Sequence, residues 1–259
     1  MGGGLLELRC GYDLQVLSKF GVKVSVNIDP GTHCHALITG SSGSGKSQTL
    51  LYLIGSLLRS GPETVIFLCD FKNSNDFGFL SSYKYYYQGI DCYRGVMEYY
   101  AHFNQARKEG AWERCILLID EYPAFITYLE AMDKADKTHQ AKDILSAISE
   151  ILMMGRGLRF GLWVITQRSD SAWFPSGSRD NFMLTIALGR LSREQAKMLF
   201  SGEDIPDRIY KPGQGLLLAD GQALREVAFP LIKDVRDWKR HILLALSRNS
   251  SISKPDWGP

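Results

Sequence analysis

The stretch Cys34-His35-Ala36-Leu37-Ile38-Thr39-Gly40-Ser41-Ser42-Gly43-Ser44-Gly45-Lys46-Ser47-Gln48 decides the fold. Its first part, Cys34–Thr39, is largely apolar and reads as a strand. A glycine- and serine-rich loop follows, and from about Lys46 to Arg59 the spacing predicts a helix that Gly61-Pro62 ends. Gly40 to Ser47 is a complete phosphate-loop pattern, with the strand before it and the helix after it that the pattern requires. Glycines let such a loop turn its backbone N–H groups inward, and the helix dipole adds positive potential at the same point. Gly40, Ser41, Ser42, Gly43, Ser44, Gly45, Lys46, Ser47 and Gln48 are therefore the candidate cradle for a nucleoside triphosphate, ATP with Mg²⁺. Lys46 is expected to reach the β- and γ-phosphates and Ser47 to hold the metal through its hydroxyl.

Two further strand ends complete the expected site. Ile116-Leu117-Leu118-Ile119 is a buried run that ends in Asp120-Glu121. Asp120 is the second candidate metal residue, and Glu121 is the candidate general base that orients the attacking water. Leu162–Thr166 is another apolar run, followed by Gln167-Arg168. In a parallel sheet, ligands bind at the carboxyl edge of the strands, which brings Gln167, with Thr166 second to it, beside the γ-phosphate as a sensor. No arginine lies near the phosphate loop in sequence. Arg156, Arg159, Arg179 and Arg190 are the candidates for a charge supplied in trans, with Arg156 and Arg159 preferred.

Outward from these segments, strands alternate with helices. Val65–Cys69, Cys115–Ile119 and Leu184–Leu188 read as buried strands, Val96–Glu109 and most of 122–154 as helix, with the charged Asp133–Lys142 as a loop or an exposed face. Ser192 with Gln195 three residues on has capping-box spacing, and Gln214–Leu218 with Arg225–Phe229 suggests a hairpin around Asp220-Gly221. This alternation predicts an α/β fold with a mostly parallel sheet flanked by helices. Residues 1–34 read as a strand-rich N-terminal appendage, with strands at Leu5–Cys10 and Val22–Ile28. Residues 35–232 form the main domain, and 233–259 a C-terminal helix and tail. Tyr83, Tyr85, Tyr86 and Tyr87 form an aromatic cluster that suits packing better than base stacking. A net charge of only +2 neither requires nor excludes a nucleic-acid partner. The five cysteines contain no Cys-x-x-Cys pair, which argues against zinc and disulfides and for a reducing compartment.

Taken in order, these motifs resemble the motor domain of the FtsK/SpoIIIE family. The resemblance runs from about His35 to Ile232 and rests on the phosphate loop, Asp70-Phe71-Lys72, Leu117–Glu121 and, above all, Gly155–Arg168, which is similar to the family's Gly-Arg run leading to Thr-Gln-Arg. Ile165 and Ser169 depart from the alanine and proline usual there. The compact spacing suggests a plasmid, conjugative-element or phage-like member. The resemblance implies a RecA-like ATPase that assembles as a homohexameric ring around double-stranded DNA. It also implies a cytoplasmic setting, at the inner face of the membrane where segments outside this chain reach membrane, secretion or conjugation partners. Lys72, Lys84 and Arg179 are the candidate DNA contacts by loop placement. A secretion ATPase of the same fold and a non-catalytic ATP-binding module are the alternatives.

Overall fold

The computed structural model describes residues 7–110, 113–167, 174 and 180–249. Arg168 and Arg179 lie outside the described residues. The chain opens with β1 (Leu8–Asp13), α1 (Leu14–Phe20) and β2 (Ser25–Ile28). The helix is an addition to the sequence reading, which had two strands here. Its signals are local. The Asp13 carboxylate accepts a hydrogen bond from the Val16 N–H at 2.9 Å, and Gly21 closes the helix in the left-handed region. β2 starts three residues later than expected, because Val22 and Val24 stay exposed outside the strand.

The core alternation follows: β3 (Ala36–Gly40), α2 (Lys46–Ser60), β4 (Val65–Asp70), β5 (Tyr86–Gln88), α3 (Cys92–Glu109) and β6 (Cys115–Asp120). Next come α4 (Tyr122–Asp136), α5 (Gln140–Met154), β7 (Phe160–Thr166), β8 (Leu184–Leu188) and α6 (Arg193–Leu199), and then β9 (Gln214–Ala219), β10 (Arg225–Ala228) and α7 (Val235–Asn249). The charged segment between α4 and α5 is a turn with a purpose. Asp133 accepts hydrogen bonds from the Gln140 and Ala141 N–H groups and caps the second helix from the first. The capping box at Ser192 and Gln195 forms as the spacing predicts.

The ten strands of the described residues make one sheet in the order β2-β1-β10-β9-β8-β3-β7-β6-β4-β5. From β8 to β5 neighbours are parallel; from β8 to β2 they are antiparallel. The N-terminal strands, read in the sequence as an appendage, thus extend the same sheet through β10. β3, β4, β7 and β8 are buried along their whole length, as expected of strands covered on both faces. Trp163 of β7 is among the largest fully buried side chains.

Helices α2 and α7 pack together, and α3, α4 and α5 form a second group. Gly55 makes the first contact close: a Cβ there would meet the Trp238 ring at 2.5 Å, and the Trp238 indole donates to the Leu51 carbonyl at 2.8 Å. Tyr83, Tyr85 and Tyr87 are buried, with Tyr85 stacked on Phe67 at 4.2 Å between centroids. Base stacking is therefore excluded for these three, which belong to the core.

Candidate nucleotide site

The register of the parallel strands brings the motifs together. Thr39 pairs with Thr166, and Asp70 with Asp120. The tips of β3, β7, β6 and β4 therefore line up along one carboxyl edge. A cavity of about 340 Å³ opens there, lined by the phosphate loop, Asp120, Glu121, Ile165, Gln167 and the buried Phe77.

Gly43 and Gly45 have φ of +77° and +91°, which gives the loop its turn. Gly45 also lies against the loop before β9. A Cβ on it would meet the Gly213 nitrogen at 2.6 Å, and the Gly213 N–H donates to the Ser44 carbonyl at 2.8 Å. The glycine motif at 213–215 thus braces the phosphate loop from behind. Lys46 folds over the loop, donating to the Gly40 carbonyl and to that of Ser41, the latter at 3.2 Å. Partial burial pulls its pKa down, and the charges of Glu121 and Asp120 oppose that shift. Gln48 also lines the cavity, and its side-chain oxygen accepts from the Ile232 N–H at 3.3 Å.

Burial raises the Asp120 pKa to about 7, with the charges of Glu121 and Asp70 adding to the rise and Lys46 reducing it. A carboxylate so placed gains from a cation. Among the described residues no group of three or more His, Cys, Asp or Glu could hold a metal alone. That donor set fits Mg²⁺, which uses one or two protein oxygens together with phosphate oxygens. Ser47, at the first turn of α2, and Asp120 are the residues that could hold it, and bound Mg²⁺ would supply charge neutralisation at the phosphates.

Glu121 sits at the amino end of α4 with φ +57°, a left-handed conformation that costs a non-glycine residue about 1–2 kcal/mol. Both carboxylate oxygens are engaged. Oε1 accepts from the Gln167 amide at 2.9 Å, and Oε2 pairs with the Lys72 ammonium at 3.2 Å. The chemistry available is that of an activated water: an oriented carboxylate, a cationic lysine and an amide that can sense what lies between them.

The remaining candidates fall elsewhere. Arg156 and Arg159 both precede β7 at its amino end, so the length of that strand, about 20 Å, separates them from Gln167 and from the cavity of their own chain. Arg190 follows Gly189, which packs on Ser44, so its backbone lies beside the phosphate loop. Lys84 lies in the turn before β5, over the Tyr85 ring at 4.9 Å. Lys72, expected in a DNA-facing loop, stands at the catalytic edge paired with Glu121. Sequence reasoning missed that contact and the Gly213 brace. Each depends on a strand order that no local pattern reveals.

A phosphate loop between the central strand β3 and α2, with a carboxylate pair at the tip of β6, defines a RecA-like P-loop ATPase fold. The FtsK/SpoIIIE family model matches residues 14–81, from α1 through β4 and the turn beyond it. The FtsK domain-containing protein YdcQ of Bacillus subtilis (strain 168) is 27% identical over 183 residues, covering 64% of this chain and 36% of the relative. Among solved structures, ATPases 2 and 3 of EssC from Geobacillus thermodenitrificans superpose with a TM-score of 0.69 at 16% identity, over 96% of this chain and 50% of that one. The pCW3 conjugation coupling protein TcpA, in its monomer form with ATPγS, gives 0.66 at 20% identity, over 94% and 71%. The cytoplasmic domain of the Type VII secretion ATPase EccC of Thermomonospora curvata gives 0.67 at 19%, over 98% and 32%. The chain thus spans about a third of its curated relative and half of the EssC chain. The resemblance to FtsK/SpoIIIE-type motor domains read from the motifs holds.

Proposed function

We propose that this chain binds ATP with Mg²⁺, hydrolyses it with Glu121 as the base, and couples turnover to the movement of double-stranded DNA as part of a homohexameric ring. The observation that carries the ATPase reading is the Gln167–Glu121 bond at 2.9 Å, made across two strand tips on the cavity that the phosphate loop lines. It joins the sensor amide to the water-orienting carboxylate, so a change at the γ-phosphate is felt at both. The DNA reading is supported by the FtsK/SpoIIIE match at residues 14–81 and by the Gly155–Arg168 run. In a ring, Arg156 and Arg159 at the opposite edge act on a neighbour's nucleotide and not on their own. Membrane, secretion or conjugation partners are reached through other segments, at the cytoplasmic face.

A second reading, an ATPase of the same fold that drives protein secretion, is favoured by the likeness to EccC. One experiment separates the two: steady-state ATP hydrolysis with and without long duplex DNA across a salt series. Stimulation of about tenfold that fades as salt rises, as phosphate contacts do, supports the DNA motor. Turnover indifferent to DNA overturns it in favour of the secretion reading.

A further inference from the structure

The Lys72–Glu121 ion pair is absorbed neither by the phosphate loop nor by metal binding, and its direction is informative. In the sheet order, β7 lies between β6 and the phosphate-loop strand β3, whereas β4 lies on the far side of β6. Gln167, at the tip of β7, therefore holds Glu121 from the phosphate side. Lys72, just past the tip of β4, holds it from the outer side. Neighbouring strands stand about 4.8 Å apart, so an outward pull of one strand spacing is large against the reach of a water-orienting carboxylate.

The position of Lys72 is built. The buried Asp70 carboxylate accepts the Ser74 N–H at 2.9 Å and the Tyr86 hydroxyl at 3.0 Å, and the Asn73 N–H donates to the Asp70 carbonyl at 3.2 Å. Asn73 itself takes a left-handed φ of +53° and accepts from the Gln88 amide. The turn 70–74 is thereby fixed to β5, and it presents the lysine. The Lys72 side chain is 47% exposed while that of Glu121 is 12% exposed. One end of the pair faces the reaction cavity and the other is open to a large anion.

We propose that Lys72 is a positioning residue that holds Glu121 off the phosphate side, and that a phosphodiester anion arriving at its exposed ammonium releases the carboxylate for catalysis. This deepens the motor reading and rests on it: contact with the track is transmitted to the base through one shared cation. The pair is partly exposed, so its restraint is modest, and its loss should raise turnover about two- to fivefold.

The experiment compares steady-state kinetics of wild type, Lys72→Ala, Lys72→Arg and Lys72→Ala/Glu121→Gln, each with and without a long DNA duplex. Thermal melts establish that each variant is folded. Lys72→Ala should raise kcat without DNA about two- to fivefold, leave the KM for ATP within twofold, and lose a corresponding share of any DNA stimulation. Lys72→Arg should restore the wild-type rate, and the double variant should show no gain, because the effect runs through Glu121. A folded Lys72→Ala whose basal kcat is unchanged or lower overturns the restraint, whatever DNA does. A raised basal kcat in Lys72→Ala beside a wild type that ignores DNA would instead overturn the DNA track and leave the restraint standing.

Discussion

The two edges of the parallel sheet are made by the same strands, yet their polar groups are spent differently. At the amino edge they hold the fold together. The His35 Nδ1 atom accepts from the Leu162 N–H at 3.1 Å, and the buried Tyr99 hydroxyl donates to the Gly161 carbonyl at 2.7 Å. Burial lowers the His35 pKa to about 4, with Arg156 adding to the effect, so the ring stays neutral and serves as an acceptor. At the carboxyl edge the polar groups face a cavity and lean on one another: Gln167 and Lys72 on Glu121, and Lys46 on its own loop. The difference shows that strand direction sorts structural from chemical polarity within one layer of residues.

Substitutions at each edge, and between them, test that contrast. At the carboxyl edge, Lys46→Ala removes the cation over the loop, and turnover should fall by about 10²–10³-fold with the melting temperature little changed. In the middle of the sheet, between the edges, Trp163→Ala should cost about 3–5 kcal/mol of stability in a denaturant titration, because the buried ring leaves a cavity. Such a loss would impair both edges together.

Asp120 offers a pH test of the carboxyl edge. Its folded pKa of about 7 lies above the ordinary carboxylate value, so without metal the folded state holds a proton that the unfolded state has released. Its contribution to stability is therefore present at low pH and declines as pH rises from about 4 to about 7. Melts in a chelator should show Asp120→Asn more stable than wild type at pH 8, with the gap narrowing as pH falls through about 7 and closing only by about pH 4. A gap that is constant with pH would mean that Asp120 is not the strained group. The smallest expected effect is at the amino edge. Arg156→Ala and Arg159→Ala should leave the ATP dissociation constant of a single protomer within twofold, by equilibrium binding, since neither reaches its own cavity.

The nucleotide edge was legible for a local reason. The phosphate loop, Asp120-Glu121 and Gln167 each follow an apolar run, and a parallel sheet brings all such ends together. Helix α1 was also within reach, through Asp13 and Gly21, but short flanking strand patterns hid it. What could not be read was contact between elements distant in the chain. Lys72 meets Glu121 only because β4 lies next to β6, and Gly213 reaches Gly45 only because β9 pairs with β8, the neighbour of the phosphate-loop strand β3. The aromatic run at 83–87 was legible as packing, and three of its tyrosines, Tyr83, Tyr85 and Tyr87, are in the core.

The most direct measurement of the central claim is ATP turnover by Glu121→Gln set beside its ATP affinity. The account predicts a loss of at least about 10²-fold in kcat, as for a positioned general base, with ATP bound as tightly as in wild type. Turnover within a few-fold of wild type in a variant that binds ATP normally would contradict it, and would remove Glu121 from the chemistry.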